Sequence, residues 1–233
     1  MIQKTTLRIL LLLLISLKSF SQVQGLNHKY EVLNPETAGK IFRNSTPEKD
    51  KPLGSPYLQL KFSLAQVENV AQKYYMRYNA YDDSFEFITP KNDTLVLDKI
   101  ADFNTIHLIA TDKTYKLVDY TNGKGKLVKG YLIDFYDKAD FVLYKKESVN
   151  YYEGKIARTT LENNVPSRYT KLEDAFYLKN KEGTITEFPE SKKQLIKLFP
   201  NNKEVLETFL KENKISFNKD EDRIKIVDFL ATL

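Results

Sequence analysis

The chain contains no cysteine in its 233 residues. Disulfide bonds, thiolate nucleophiles and metal sites with cysteine ligands are therefore excluded. The acylated cysteine of bacterial lipoproteins is excluded as well. Histidine is scarce, with only His28 and His107, and no Asp-x-Asp-x-Asp-Gly calcium loop occurs. We predict no metal and no cofactor, because the chain has no cysteine, only two histidines and no calcium-loop motif.

The common motifs of nucleotide-binding and hydrolytic enzymes are missing too. No GxxxxGK[ST] or GxGxxG sequence occurs, so the glycines at 123, 125 and 130 are interpreted as parts of hairpin turns. No G-x-S-x-G nucleophile signature is present. Long alternation of strands and helices, which would predict a parallel nucleotide-binding sheet, is also absent. These absences favour a protein without catalytic residues.

The one long apolar run lies at the N-terminus. Lys4 and Arg8 precede a largely apolar run at residues 9–17, and Ser19 and Ser21 occupy the −3 and −1 positions of a cleavage site. This pattern predicts a secretory signal peptide over residues 1–21. The alternative, a transmembrane anchor, would need roughly 20 apolar residues. We expect an exported protein, periplasmic or secreted, without a transmembrane segment after cleavage.

Removal of the leader changes the charge of the chain. The full sequence has 36 basic and 31 acidic side chains and a net charge of +5. The leader holds Lys4, Arg8 and Lys18 and no acidic residue, so the mature chain has 33 basic against 31 acidic side chains, a net charge of +2. Nearly balanced charge does not suit a phosphate-binding surface. We therefore predict no nucleic-acid partner.

Three parts follow the leader. Residues 22–56 carry little apolar pattern and several prolines and charges, which is typical of an extended or loosely ordered segment. Residues 57–188 show short alternating runs with turn residues about every eight to twelve positions, which predicts an antiparallel β domain. The first strand of that domain is expected at residues 57–62. Residues 189–233 change to helical periodicity and predict a helical segment packed on the sheet.

A hairpin at residues 126–146 is predicted to be the centre of the sheet. Its two aromatic-rich runs are separated by a polar turn at residues 137–140. Strict alternation places one set of side chains on one face and a second set on the other. The first set is Tyr131, Ile133 and Phe135, and the second is Leu132, Asp134 and Tyr136. Both sets are large, so both faces are expected to be covered.

Three helices are predicted after Pro189, each opened by a capping residue. The expected pairs of cap and third helical residue are Ser191 with Gln194, Asn201 with Glu204, and Asn218 with Glu221. The fold class is therefore α+β: an antiparallel β-meander, either a sheet or an open half-barrel, with three C-terminal helices packed against it.

The densest cluster of polar and aromatic residues lies between positions 74 and 86. The candidate ligand-binding residues are Tyr75, Arg77, Tyr78, Asn79, Tyr81, Asp82, Asp83 and Glu86. Tyrosine rings could stack on a carbohydrate or peptide while the acids orient hydroxyls or amines. Two carboxylates across a hairpin could instead act as glycosidic acid and base. A purely structural interpretation also fits, because tyrosine suits strands and Asp-Asp-Ser suits a turn.

Short glycosylation patterns occur at two places. Asn44 and Asn92 each begin an N-x-[ST] acceptor pattern. Thr94, in Asp-Thr-Leu, lies in a pattern similar to the O-glycosylation acceptors of exported Bacteroidetes proteins.

Several motifs resemble an uncharacterised family of exported proteins from Flavobacteriia and related Bacteroidetes. They are SFSQ at 19–22, GSPYL at 54–58, RYNAYDD at 77–83 with Glu86, KGYL at 129–132, LYKK at 143–146, LFP at 198–200 and ENK at 212–214. The resemblance covers most of the mature chain. It implies export and a β-rich body with a helical tail, and it implies no activity.

The sequence leads to one principal functional hypothesis and two alternatives. The principal one is an exported, non-enzymatic binding or accessory protein of the bacterial cell envelope, whose partner is an envelope protein, a glycan or a small ligand. The first alternative is an envelope hydrolase that uses Asp82, Asp83 or Glu86. The second is a carrier that holds an apolar ligand between the sheet and the helices.

Overall fold

The computed structural model describes residues 39–41, 51–157 and 161–233. The predicted signal peptide, most of the segment at residues 22–56, His28 and the Asn44 pattern lie outside the described residues.

The described chain is rich in strands up to residue 187 and helical after it. The strands are β1 (Gly39–Ile41), β2 (Ser63–Val67), β3 (Tyr74–Asn79), β4 (Ser84–Ile88), β5 (Thr94–Leu97), β6 (Thr105–Leu108), β7 (Lys113–Thr121), β8 (Leu127–Lys138), β9 (Phe141–Lys146), β10 (Val149–Tyr152), β11 (Arg168–Lys171), β12 (Ala175–Lys179) and β13 (Ile185–Glu187). The helices are α1 (Lys192–Leu198), α2 (Lys203–Glu212) and α3 (Asp220–Leu230), and short 3₁₀ turns lie at Ala101–Phe103 and Pro200–Asn202.

One large sheet contains eleven of these strands, in the order β1-β5-β4-β3-β2-β6-β7-β13-β12-β9-β8. Strand β7 also pairs with β8, so β7, β8, β9, β12 and β13 close on themselves as a small five-stranded barrel. The β13–β7 contact is parallel and consists of the single pair Thr186 and Thr121. The predicted α+β class with C-terminal helices is confirmed in this coarse form. The expectation of a purely antiparallel, open structure is wrong at the barrel, because β13 returns alongside β7.

Three hydrophobic cores follow from the alternation of side chains along the strands. The first lies on one face of β2–β8 and includes Ala65, Met76, Phe85, Phe87, Ile106 and Tyr131. The second fills the barrel with Tyr120, Leu132, Val142, Tyr144, Tyr177 and Ile185. The third joins the outside of β9 and β12 to the helices through Phe141, Leu143, Phe176, Leu178, Leu195, Leu206, Ile226 and Leu230. Strands β9 and β12 are therefore covered on both faces.

The β8–β9 hairpin forms as predicted, but the predicted faces of β8 hold only for its first part. Tyr131 and Ile133 lie in the first core and Leu132 lies in the barrel. A bulge between Asp134 and Tyr136 shifts the register with β9. Phe135 and Tyr136 consequently both pack against the third core. An extra residue in one strand breaks the period of two, and the aromatic sequence gave no sign of it.

In residues 51–171 one strand prediction is wrong and one strand was not predicted. Residues 57–62 form no strand; they lie against β3 and β4, where Ala80 N–H donates to Pro56 O and Arg77 bonds Leu60 O. Strand β11 was missed because its sequence is polar and charged. It forms because it pairs with β10, where Tyr151 lies opposite Tyr169 and Tyr152 lies opposite Arg168.

Only the first of the three predicted helix caps is observed. The Ser191 hydroxyl accepts a hydrogen bond from Gln194 N–H, and the Gln194 side chain accepts one from Glu190 N–H at 2.6 Å. The other two predicted caps are wrong. Helix α2 begins at Lys203 after a 3₁₀ turn that contains Asn201, and α3 begins at Asp220 without a side-chain cap. A proline at position 200 and the neighbouring core contacts decide where these helices begin.

Among residues 51–157 and 161–233, no helix combines the length and the apolar character that a bilayer crossing requires.

Candidate functional site

The eight predicted site residues do not form one surface. Alternation along β3 places Tyr75 and Arg77 on the face opposite to Tyr78. Tyr75 is 57% exposed, whereas Tyr78 is buried in the first core. Apart from Tyr75, the predicted site residues belong to an outer ion pair, an inner ion cluster and a turn.

The outer pair joins Arg77 to Glu86, which are directly opposite each other on β3 and β4. Arg77 Nη2 and Glu86 Oε2 are 2.6 Å apart, and the other carboxylate oxygen accepts a hydrogen bond from the Tyr57 hydroxyl at 2.6 Å. The guanidinium lies 3.5 Å from the centre of the Tyr57 ring. Burial, together with the bond to Glu86, raises the pKa of Tyr57. Glu86 is fully buried and both its oxygens are occupied, so it is not available to a ligand.

The inner cluster is built on Asp83, a turn residue with φ of 53°. One of its oxygens accepts hydrogen bonds from the Tyr78 hydroxyl, at 2.6 Å, and from Lys146. The other accepts from Lys99 Nζ at 2.7 Å. Lys146 is buried, and this burial lowers the pKa of its ammonium group while Asp83 opposes the shift.

This cluster connects the β3–β4 turn to β8. The N–H of Tyr131 donates to both oxygens of Asp83 at 3.3 Å, and Lys146 Nζ donates to Tyr131 O at 2.9 Å. The approach is possible because the residue before Tyr131 is Gly130, where a Cβ would lie 2.4 Å from Asp83 Oδ2. The partners of Asp83 and Lys146 are all within the chain, and the cluster is interpreted as structural.

The turn after β3 presents Tyr81 and Asp82 at the surface. The Asn79 side-chain oxygen accepts hydrogen bonds from the N–H groups of Tyr81 and Asp82, both at 3.1 Å. The Asn79 amide donates to Asp82 Oδ2, also at 3.1 Å. An asparagine that bonds the backbone two residues on stabilises this kind of turn. Asn79 is itself buried, so it acts as a support for its two exposed neighbours.

Tyr81 belongs to a cluster of three tyrosines, hereafter the tyrosine triad: Tyr81, Tyr151 and Tyr169. The Tyr81 ring centre lies 5.4 Å from that of Tyr169 and 6.3 Å from that of Tyr151, and the Tyr151 and Tyr169 centres are 5.1 Å apart. Tyr151 and Tyr169 are directly opposite each other on β10 and β11. Partial burial raises the pKa of Tyr169, and Tyr81, Asp82 and Tyr151 raise it further.

The sequence pointed to Tyr81 but missed its two partners. Tyr151 and Tyr169 lie in the region where strand patterning was weakest, and the pairing that joins them is distant in sequence. A tyrosine in each of two short polar segments was the one available signal. None of the three hydroxyls forms a hydrogen bond within the described chain, and Tyr81 is 44% exposed.

The centre of the interface between sheet and helices is filled by the third core, including Leu143, Leu195 and Leu206, which are fully buried. At its edges the described side chains leave two open clefts, one of about 400 Å³ beside Glu187 and Gln194 and one of about 240 Å³ beside Leu178 and Asn202. A groove of about 430 Å³ lies on the outside of α2 and α3 beside the stacked rings of Phe209 and Phe229. The described residues also contain no group of three or more acidic or histidine side chains that could hold a metal ion.

Comparison with known proteins gave no relative. No protein-family model, no curated protein and no solved structure matches the chain.

Proposed function

We propose that the protein is an exported, non-enzymatic binding module of the bacterial cell envelope, and that it binds its ligand through the tyrosine triad. The leader pattern of residues 1–21 supports export. The observation that carries the binding proposal is the triad: three contacting tyrosines whose hydroxyls make no hydrogen bond to any described residue.

The physical character of the triad suits ligand binding. Tyrosine offers a large apolar face with a polar end and loses little side-chain freedom on binding. Asp82 lies beside the triad and is exposed, so a carboxylate is available to accept hydrogen bonds from a hydroxyl or an amine. The buried Asn79 fixes the turn that carries Tyr81 and Asp82, which reduces the ordering cost of binding.

The geometry gives little support to the hydrolase alternative. Such an enzyme needs two carboxylates facing one substrate site. Glu86 is buried with Arg77 on the outer side of the sheet, and Asp83 is held by Lys99 and Lys146 on the inner side. Of the three acids, Asp82 alone is exposed. The carrier alternative needs a large apolar cavity, whereas the centre of the sheet–helix interface is filled by the third core.

Capture from envelope extract tests the proposal with a matched pair of variants. The purified mature protein is immobilised, and the material that it retains is compared for wild type, Tyr81→Ala and Tyr75→Ala. Tyr75 is also exposed, at 57% against 44% for Tyr81, and lies on β3 outside the triad. We expect Tyr81→Ala to lose the retained component and Tyr75→Ala to keep it. Identical retention by all three proteins would remove the triad as the binding surface.

A further inference from the structure

Helix α2 buries one face in the third core and leaves the opposite face exposed. Leu206 and Leu210 are its buried residues. The opposite face carries two rows of residues spaced four positions apart. The first row is Glu204, Thr208 and Glu212, and the second is Val205 and Phe209. Rows of this spacing form the ridges and grooves through which a helix packs on another helix.

The groove of about 430 Å³ runs along these two rows and is hereafter the α2–α3 groove. Phe209 and Phe229 line it with parallel rings, whose centres are 4.0 Å apart. Both rings are only half-buried, and Val205, which also lines the groove, is 51% exposed. The Thr208 hydroxyl donates to Glu204 O at 3.0 Å, so it bonds the backbone of its own helix. The middle of the groove is therefore largely apolar.

Both ionisable side chains that line the groove are acidic. Glu204 lies in the first turn of α2 and Glu212 is its last residue, and both are exposed. Neither forms an ion pair with a described residue, whereas Glu207 of the same helix pairs with Lys192 at 3.4 Å. Eight residues of helix separate the two acids by about 12 Å along the axis. The groove is thus apolar in the middle and negative at both ends.

This distribution of charge selects among the possible occupants. An anionic bilayer surface or a nucleic acid would bring phosphates against the two acids, and like charges oppose such contacts. A two-fold contact between copies of the chain through α2 would bring acids against acids, because such an interface uses the same surface twice. A small organic cation does not reach both carboxylates. A basic helix reaches both, and its ridges fit between the rows of α2.

We propose that the α2–α3 groove binds an amphipathic, basic helix of a partner protein. The partner helix lies along α2 and packs its apolar side chains on Val205, Phe209 and Phe229. Its lysines or arginines, about two turns apart, pair with Glu204 and Glu212. The groove shares no residue with the tyrosine triad, so this inference goes beyond the proposed function.

Synthetic helical peptides serve as the probe for the purified mature protein. The first is an alanine-rich peptide of about 20 residues, with leucines along one face and two lysines about two turns apart. Fluorescence anisotropy of the labelled peptide measures binding. We expect this lysine peptide to bind. A peptide with glutamates in place of the lysines, and a scrambled peptide of the same composition, should each bind at least about tenfold more weakly.

Charge variants of the protein test the ends of the groove. Glu204→Gln/Glu212→Gln should bind the lysine peptide about fivefold more weakly, because two exposed ion pairs are lost. Its binding should also depend less on salt than that of wild type. The matched control is Glu68→Gln/Glu182→Gln, which removes two exposed acids outside the helices and changes the net charge equally. This control should bind like wild type.

A second pair of variants tests the apolar middle of the groove. Val205→Gln should bind the lysine peptide about fivefold more weakly, because the apolar contact is reduced. Leu127→Gln, at a residue of β8 that is 69% exposed, should bind like wild type. All these substitutions lie at exposed positions, and circular dichroism with thermal melts shows that each variant is folded.

Three results would overturn the proposal. The first is no binding of the lysine peptide at about 1 mM. The second is equal binding of the lysine and glutamate peptides, or equal binding by wild type and Glu204→Gln/Glu212→Gln. The third is self-association of the wild-type protein that Val205→Gln abolishes, which would assign the groove to a second copy of the chain. None of these results depends on capture by the tyrosine triad, so the two proposals fail separately.

Discussion

The backbone of Tyr131 is held by two charged side chains. Its N–H donates to Asp83 and its C=O accepts from Lys146, so a buried ion pair supplies the bonds that a neighbouring strand would otherwise make. Both charges are paired and hydrogen-bonded, which is the condition under which a protein tolerates them inside. The pair fixes the β3–β4 turn against β8 and so holds the support of Tyr81 in place.

The first prediction concerns removal of the negative charge in this pair. Asp83→Asn leaves the ammonium of Lys146 buried without its counter-ion, and we expect the free energy of unfolding to fall by about 3 kcal/mol. Denaturant unfolding at pH 7 measures this difference. A loss below about 0.5 kcal/mol would show that the pair contributes little.

The same variant has a predicted pH dependence. The pKa of Lys146 is already lowered in the folded protein by burial, and loss of Asp83 lowers it further. Between that lowered value and the ordinary lysine value of about 10.4, the unfolded chain binds more protons, so stability rises with pH. The difference between wild type and Asp83→Asn should therefore shrink from pH 7 to pH 9.5. A constant difference would contradict this assignment.

Gly130 gives a second test at the same place. An alanine there would put its Cβ 2.4 Å from Asp83 Oδ2 and 3.2 Å from the Tyr120 ring. We expect Gly130→Ala to lower the free energy of unfolding by about 3 kcal/mol or more, through overpacking and disruption of the ion pair. Gly125→Ala is the control: φ is 72° but the surrounding space is open, so strain alone costs about 1 kcal/mol. Equal losses would indicate that contact with Asp83 is unimportant.

At the scale of elements, the sequence predicted the strands and helices whose formation depends on local periodicity. Strands such as β3, β4 and β9 show the period of two and were found, whereas the bulge in β8 and the polar strand β11 were not. A bulge depends on the partner strand, and β11 depends on β10. The helices were found from their apolar spacing, but two of three starts were misplaced because core packing and Pro200 decide them.

Mutations distinguish the cap observed at Ser191 from the cap predicted at Asn201. Ser191→Ala removes the hydroxyl that accepts from Gln194 N–H, and we expect a loss of about 1 kcal/mol in the free energy of unfolding. Asn201→Ala, at a residue that caps no helix, should change it by less than about 0.5 kcal/mol. Denaturant unfolding measures the loss for each variant. A larger loss for Asn201→Ala than for Ser191→Ala would support the cap predicted at Asn201.

At the scale of the whole molecule, tyrosines in the cores couple stability to alkaline pH. Burial raises the pKa of Tyr177 to about 12, and burial also raises the pKa of Tyr78, Tyr115, Tyr120 and Tyr131. Above about pH 10 the unfolded chain loses these protons while the folded protein keeps them, so stability falls as pH rises. Tyrosinate absorbance of the buried residues should appear together with unfolding. Ionisation of every tyrosine near pH 10 in a folded protein would contradict this.

Only part of the candidate site could be predicted from the sequence. Like closure of the barrel, the rest depends on contacts between segments that are far apart in the chain. Tyr81 was visible in a tyrosine-rich hairpin, but burial removes Tyr78 and Glu86 from any surface, and the partly exposed Asp83 is held by Lys99 and Lys146. Tyr151 and Tyr169 reach Tyr81 only after β10 and β11 have paired, as β13 reaches β7 only after the barrel has closed. Contacts between segments far apart in sequence leave no local pattern.

The central claim is that the tyrosine triad binds the ligand. Hydroxyl-radical footprinting of the wild-type protein, with and without envelope extract, tests this claim most directly. The labelling rates of the three triad tyrosines are compared with that of Tyr75, an exposed residue of β3 outside the triad. The account predicts that Tyr81, Tyr151 and Tyr169 become protected while Tyr75 is unchanged. Unchanged labelling of the triad, or protection of Tyr75 alone, would contradict it.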